Sequence, residues 1–402
     1  MTNPPAVQSH CQDHSKNAAW PADRLILTPG MIDLSRSPLA GQLDAETYVL
    51  GAFNPALTRL PNGNLLMMVR IAEALREPIF DGKVHAIRLG DCEAGGNADG
   101  RYVLDGWPIE LADTADPRTF KLHGGGWSIM ALTSLSWLLP VVISPDGLEI
   151  VTIHYERAIA PAGSWQCYGV EDPRISKVGD DYWMTTCSIS PERQSTTLYH
   201  STNALDWTFD GVVLDHQNKD ILIFEGLIGG KYWAQTRPLG DLYFAYPPGS
   251  EWRAGPSINL ASSPDCRHWR PYLKPGIRPR AATVATARMG GGAPPILTEI
   301  AGRQGWLSLW HGVEPREVVG IYRTYWSLLD PDDPAIVLAT SDTPLLEANP
   351  ELTGALEELM YMHGVVFTTG IVEADDHFIV ASGEADLACR ITHIPKSTFA
   401  SV

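Results

Sequence analysis

The chain has 402 residues, enough for one large domain or two ordinary ones, and 30 basic against 47 acidic residues leave a net charge of −17 at neutral pH. A surface for nucleic acid or for an anionic membrane needs a basic patch, so this balance argues against both. Any anion site has to be built locally from a few cations. Six cysteines, at 11, 92, 167, 187, 266 and 389, show no Cys-x-x-Cys spacing. They read as mostly small buried hydrophobes or free thiols, in keeping with a reducing compartment.

Residues 1–22 form a polar lead-in without the basic-then-apolar pattern of an export signal, and residues 23–402 read as a single domain with a cytoplasmic location as the default. The most apolar run, Trp127 to Ile143, carries four hydroxyl residues and Pro140 and is marginal in length for a membrane span, so buried strands are expected there. Long amphipathic helices are scarce. Instead, 36 glycines, 31 prolines and 13 tryptophans punctuate short strand-like runs, which is an all-β composition.

One unit recurs: an apolar run, a Gly/Asn/Asp turn, and a second run rich in aromatic or aliphatic residues. Its copies turn at Asn62-Gly63, Gly179-Asp180, Gly229-Gly230, Gly302 to Gly305 and Asp375-Asp376. The spacing is too irregular for a solenoid. It suits a five-bladed β-propeller whose blades each carry one central hairpin, with a β-sandwich as the rival. Polar residues recur at the hairpin ends away from the turns: Asn54 and Arg70, Asp172 and Arg174, Lys219 and Arg237, His311, and Asp386. If the blades share one orientation, these ends meet around one mouth of the central channel.

At these residues the sequence resembles glycoside hydrolase family 130, the β-mannoside phosphorylases and related hydrolases. The matching pieces run in family order: FNPA at 53–56, NLLMMVR at 64–70, GVEDPRIS at 169–176, NKD at 218–220, GGKYWAQTRP at 229–238, GGGAPPILTE at 290–299, GWLSLWHGV at 305–313, LLDPDDP at 328–334, VVFTTG at 365–370 and GEAD at 383–386. The resemblance implies a five-bladed β-propeller and inverting transfer at the anomeric carbon of a β-mannoside. Phosphate is the nucleophile in most members and water in some.

Cleaving the glycosidic bond needs a proton for the leaving oxygen and a nucleophile on the opposite face. A hydrolase adds a carboxylate to activate water, whereas a phosphorylase needs cations and donors to hold an anion. The resemblance makes Asp172 the proton donor, directly or through a sugar hydroxyl. It makes Lys219, Arg237 and His311 phosphate ligands, with Arg174 serving phosphate or a carboxylate partner. Asn54, Arg70 and Asp330 match sugar-holding positions. Glu171 binds substrate hydroxyls or pairs with an arginine, and Asp386 matches the family's late aspartate. Trp233 and Trp310 read as core packing, with sugar stacking as the alternative.

Two departures weigh against phosphate. Ser195 stands where many phosphorylases carry an arginine, with Arg193 two residues upstream as its replacement if the loop is shifted, and the usual EK is Glu225-Gly226. Glu192 and Glu225 are therefore the water-activating bases if the protein is a hydrolase. The leading expectation is phosphorolysis of a β-mannoside to α-mannose 1-phosphate, with a small carbohydrate and inorganic phosphate as partners. The alternatives are an inverting exo-β-mannosidase and a non-catalytic glycan-binding propeller. No cofactor and no metal is expected, since no His/Cys/carboxylate cluster has ligand spacing. Residues 74–165 match the family least and are expected to shape the aglycone side or a contact in a homo-oligomer.

Overall fold

The computed structural model describes residues 20–90, 102–124, 127–215, 218–238, 245, 248–250, 255–274, 276–278, 288–316 and 319–400. Among the described residues, five antiparallel sheets of four or five strands carry the fold. The first joins the strand Ala22–Leu27 to Ala388–Pro395, His377–Glu384 and Val366–Glu373. The second orders Thr47–Arg59, Leu65–Leu75, Ser134–Ile143 and Ile150–Ile153. The third runs in sequence through Val170–Val178, Asp181–Ile189, Gln194–Ser201 and Thr208–Leu214. The fourth holds Asn218–Ile223, Tyr232–Pro238, Asn259–Ser263 and Arg270–Pro271. The fifth holds Arg288–Gly291, Arg303–Glu314, Ile321–Leu329 and Val337–Thr340, with Ile296–Ile300 beside Arg303–Glu314.

Each sheet contains one of the five hairpins expected from the turn residues. The leading strands neighbour one another in the order Val366–Glu373, Thr47–Arg59, Val170–Val178, Asn218–Ile223, Arg288–Gly291. Three of these strands break register at the same place: between Phe53 and Ala56, Glu171 and Arg174, and Lys219 and Leu222. Asn54, Asp172 and Asp220 occupy the breaks, at φ 49°, 49° and 55°. Left-handed backbone is costly for a residue with a Cβ, and Asn and Asp tolerate it best. A bulge of this kind re-aims its side chain.

The inner strands of the sheets are buried, as in Leu65–Leu75, Ser134–Ile143 and Asp181–Ile189. Leu135, Trp137, Leu139 and Val141 pack with Met67, Val69 and Ile71 on one side. The alternate residues Leu138 and Val142 pack with Met68, Val170 and Tyr182 on the other. The run Trp127 to Ile143 is therefore only partly as expected. Ser134–Ile143 is buried at every position. In the preceding strand, however, Ile129 and Met130 are 59% and 61% exposed, because that strand belongs to a small sheet on the surface.

Two such three-stranded sheets occupy the segment that resembled the family least: Ile79–Phe80, Lys83–Leu89 and Tyr102–Pro108, then Ala112–Asp116, Thr119–Gly124 and Trp127–Leu132. Trp233 and Trp310 lie in one apolar cluster, Trp310 stacked on Tyr325 at 4.6 Å. Residues 1–19 of the polar lead-in, with Cys11, and Cys92 lie outside the described residues. Cys187, Cys266 and Cys389 are free and buried, but Cys167 is disulfide-bonded, which corrects the free-thiol reading at that position. No helix among the described residues is long and apolar enough to cross a membrane.

Candidate active site

The bulged ends of the leading strands surround a cavity of about 390 Å³. Asn54, Arg70, Glu171, Asp172, Lys219, Arg237 and Asp386 all line it. The strands Ala112–Asp116, Thr119–Gly124 and Trp127–Leu132 and the turn between the first two form one side, contributing Asp116, Arg118, Thr119, Lys121, Met130 and Leu132.

Asp172 is held by two donors. Its Oδ1 accepts from Asn54 Nδ2 at 2.9 Å and Arg70 Nη1 at 3.0 Å. The same guanidinium donates from Nη2 to Glu171 Oε1 at 2.8 Å and from Nε to Ser136 Oγ at 2.9 Å. Lys219 Nζ lies 3.3 Å from Glu171 Oε2. Burial alone would raise the Asp172 carboxyl, but Arg70, Lys219 and Arg174 hold it well below the usual carboxylate range. It is therefore a carboxylate. Close packing enforces the arrangement: a Cβ on Gly383 would lie 2.2 Å from Asn54 Oδ1.

A second cluster centres on Asp220. Arg237 Nη1 is 3.1 Å from Asp220 Oδ2, and His311 Nε2 is 3.8 Å from the same oxygen. Arg237 Nη1 also lies 3.1 Å from His311 Nε2, so the guanidinium donates to that nitrogen and the ring proton sits on Nδ1. Burial, against the pull of Asp220 and with the push of Arg237, lowers the imidazole to about 3. His311 is thus neutral, a hydrogen-bonding group and not a cation. Arg237 Nε and His311 Nδ1 are buried donors without a partner. A Cβ on Gly290 would fall 2.5 Å from His311, 2.6 Å from Asp220 and 2.8 Å from Arg237, so glycine there is what lets the cluster close.

Asp386 faces the first cluster. Burial, partly offset by Arg70 and reinforced by the Asp172 charge, raises its carboxyl to about 6. Two carboxyls in one cavity are thereby set apart, one held ionised and one held towards its acid form.

Several expected residues stand elsewhere. Arg174 does not line the cavity. It is buried, donating to the carbonyls of Gly292 at 2.6 Å and Asp172 at 2.9 Å and pairing with Asp220 at 3.4 Å, so it serves the carboxylate partner and braces the two clusters. His311 lies beneath Arg237 and not among the cavity-lining residues. Asp330 follows the far end of the strand Ile321–Leu329 and caps a turn through the amides of Asp332 and Asp333. Tyr322, at the near end, lines the cavity. At about 3.3 Å per residue, Asp330 lies some 25 Å along that strand from Tyr322, and it is not among the cavity-lining residues. Glu192 is exposed and pairs with Arg193, and Arg193 in turn bonds Asp215, so it does not replace the arginine missing at Ser195. Glu225 accepts from the Lys177 amide at the turn end of its hairpin, where burial raises its carboxyl to about 7. Neither glutamate lines the cavity.

Asp220, Arg118, Lys121, Arg288 and Tyr322 went unassigned from sequence. Asp220 had a signal, since it repeats the position of Asn54 and Asp172 in the next hairpin. Arg288 donates to the Tyr322 hydroxyl at 3.2 Å on the His311 side of the cavity.

A family model described as beta-1,4-mannooligosaccharide phosphorylase, of glycoside hydrolase family 130, matches residues 135–399. The chain is 30% identical to a beta-1,2-mannobiose phosphorylase of Listeria innocua over 87% of this chain and 92% of that one. It is 32% identical to a 1,2-beta-oligomannan phosphorylase of a Thermoanaerobacter species over 62% and 75%. The solved Listeria innocua enzyme in complex with beta-1,2-mannobiose superposes with a TM-score of 0.74 at 27% identity, covering 94% of this chain and 98% of that one. The chain belongs to glycoside hydrolase family 130.

Proposed function

We infer that the protein is an inverting β-mannoside phosphorylase, that its five sheets are the blades of one five-bladed β-propeller, and that its linkage is β-1,2. The ring order of the leading strands, with the bridge from Tyr322 in the fifth sheet to Val365 beside the first, supports the propeller. The observation that carries the reaction is the pair of unpartnered buried donors, Arg237 Nε and His311 Nδ1, in a cluster that adjoins Lys219 and the Asp172 carboxylate. Buried donors without acceptors are costly unless a ligand completes them. A phosphate oxyanion does so. The names of the relatives at 30% and 32% identity support the β-1,2 linkage.

In this reading the mannosyl unit sits against Asn54, Arg70, Asp172 and Asp386. Phosphate is drawn to Lys219 and Arg237. Its charge offsets the cations that keep Asp172 ionised, and Asp172 then takes up a proton. That proton passes to the leaving oxygen, directly or through a sugar hydroxyl. The bond from the anomeric carbon to the aglycone oxygen breaks, and a bond to a phosphate oxygen forms on the opposite face, giving α-mannose 1-phosphate. One observation favours water as the nucleophile instead: Ser195 is buried, outside the cavity, and brings no cation. The test is incubation with mannobioses of defined linkage, with and without phosphate. Phosphate-dependent α-mannose 1-phosphate from the β-1,2 isomer is expected, whereas free mannose at an equal rate in phosphate-free buffer sinks the phosphorylase reading.

A further inference from the structure

One buried side chain touches both halves of the proposed site without lining its cavity. Arg174 is 1% exposed and reaches out of its own sheet in three directions. Its Nε donates to the Gly292 carbonyl at 2.6 Å, just past the strand Arg288–Gly291 of the fifth sheet. Its Nη2 lies 3.4 Å from Asp220 Oδ1 in the fourth. The guanidinium carbon stands 5.3 Å from the centroid of the Phe367 ring in the first. Within its own sheet, Nη1 donates to the carbonyls of Asp172 at 2.9 Å and Pro173 at 3.3 Å. The second sheet is joined to it through Asp172, whose Oδ1 accepts from Asn54 and Arg70.

These contacts are unequal. The Gly292 end is fixed: the Gly292 amide donates to the Leu309 carbonyl at 2.8 Å, and a Cβ there would lie 2.8 Å from that carbonyl oxygen and 3.0 Å from that of Thr368. The Asp220 end, at 3.4 Å, is longer than the ordinary N–H···O range of about 2.7–3.2 Å, so it has room to shorten. Asp220 carries one guanidinium on each oxygen, Arg174 on Oδ1 and Arg237 on Oδ2 at 3.1 Å. An anion that takes up the unpartnered Arg237 Nε competes with Asp220 for that cation and leaves more of the Asp220 charge to Arg174. Arg174 is then drawn towards Asp220 while it holds the Asp172 carbonyl, at a bulge whose backbone is already left-handed, with φ 49°. A change at Arg237 thus reaches the backbone that aims the Asp172 carboxylate, and a coupling between two binding equilibria is reciprocal.

We propose that Arg174 is a positioning residue through which phosphate and sugar strengthen each other's binding, although it does not line the cavity that holds them. This rests on the reading of the protein as a phosphorylase. Inorganic phosphate is titrated calorimetrically into the enzyme with and without saturating mannose, a pair with no bond to cleave, and mannose is titrated with and without phosphate. In the wild type each dissociation constant should fall by the same factor when the other ligand is present, about tenfold, within the roughly 5- to 150-fold range of coupled sites. Arg174→Gln should bring that factor to about one. Arg174→Lys should do the same, because a single ammonium does not reproduce the fork that spans Gly292, Asp172 and Asp220. A residue that only supports the fold would change stability, or both affinities together, and leave the factor as it was. Should the Arg174 variants not fold, Asp220→Asn keeps the shape and removes the charge between the two guanidiniums, and it too should abolish the factor. A factor of one in the wild type, or a tenfold factor that survives these substitutions, overturns the proposal. Absence of phosphate binding to the wild type overturns the phosphorylase reading and this proposal together, whereas phosphate binding that ignores mannose overturns the coupling alone.

Discussion

Two buried ion networks in this molecule share their chemistry and differ in completeness. In the first sheet, Arg390 donates to both oxygens of Asp23, at 2.7 and 2.8 Å, and to Glu384 Oε2 at 2.9 Å. Thr392 and the Asn349 amide take up further positions on Asp23 and Glu384. Around the cavity, by contrast, Asn54 Oδ1, Arg237 Nε and His311 Nδ1 have no hydrogen-bond partner. The first network is closed and holds strands together. The second leaves an acceptor and two donors unpaired, groups that a ligand can complete. Glu384 and Asp386 lie two residues apart in one motif, yet one belongs to each network.

The sharpest break between the two is Asp172→Asn. It should lower kcat by roughly 10³- to 10⁴-fold, the upper range for general acid catalysis, while the melting temperature barely moves. Steady-state kinetics beside calorimetric unfolding checks both, and an activated leaving group should recover part of the rate. Asp23→Ala should do the reverse. Leaving the Arg390 Nε and Nη2 donors without their carboxylate should cost about 3–5 kcal/mol of stability, read by urea unfolding, with phosphorolysis per folded molecule unaltered.

Lys219→Ala or Arg237→Ala should raise the apparent KM for phosphate about tenfold or more, since a charge-assisted hydrogen bond contributes roughly 1.5–3 kcal/mol. The KM for the sugar should change less, and equal rises in both would merge the two halves of the site.

The smallest effect is a pH dependence. The Asp386 carboxyl is raised to about 6 in the fold, above its ordinary 3.8. Its contribution to stability is complete below the ordinary aspartate range and is lost as pH climbs through about 6. Asp386→Asn should remove that loss, so its unfolding free energy relative to wild type should improve between pH 4 and 7. A constant difference across that window would show that Asp386 is not held towards its acid form.

The hairpins were legible because turn chemistry and strand length are local properties, and so were the residues that a fixed distance from the turn carries to the rim, such as Arg70 and Arg237. Strand polarity was harder. Asp172-Pro173 and Asp330-Pro331 carry the same dipeptide, but one opens a bulge at the rim and the other follows a strand at its far end. Arg118 and Lys121 were not legible, because the sheet that carries them lies outside the repeat and reaches the site only through tertiary placement.

The pairing of Ala22–Leu27 with Ala388–Pro395 has a temporal consequence. The bond from Arg390 to Asp23 spans 367 positions, so the first sheet stays incomplete until the chain has been made as far as Arg390. Closing so long a loop is slow relative to forming the local hairpins. The turn that presents Asp386 joins the last two strands of that sheet. Catalytic competence should therefore arrive as a late, discrete event in synthesis. Until then the earlier four sheets would stand assembled with an exposed edge, the interval in which the chain is most open to mispairing with a neighbour.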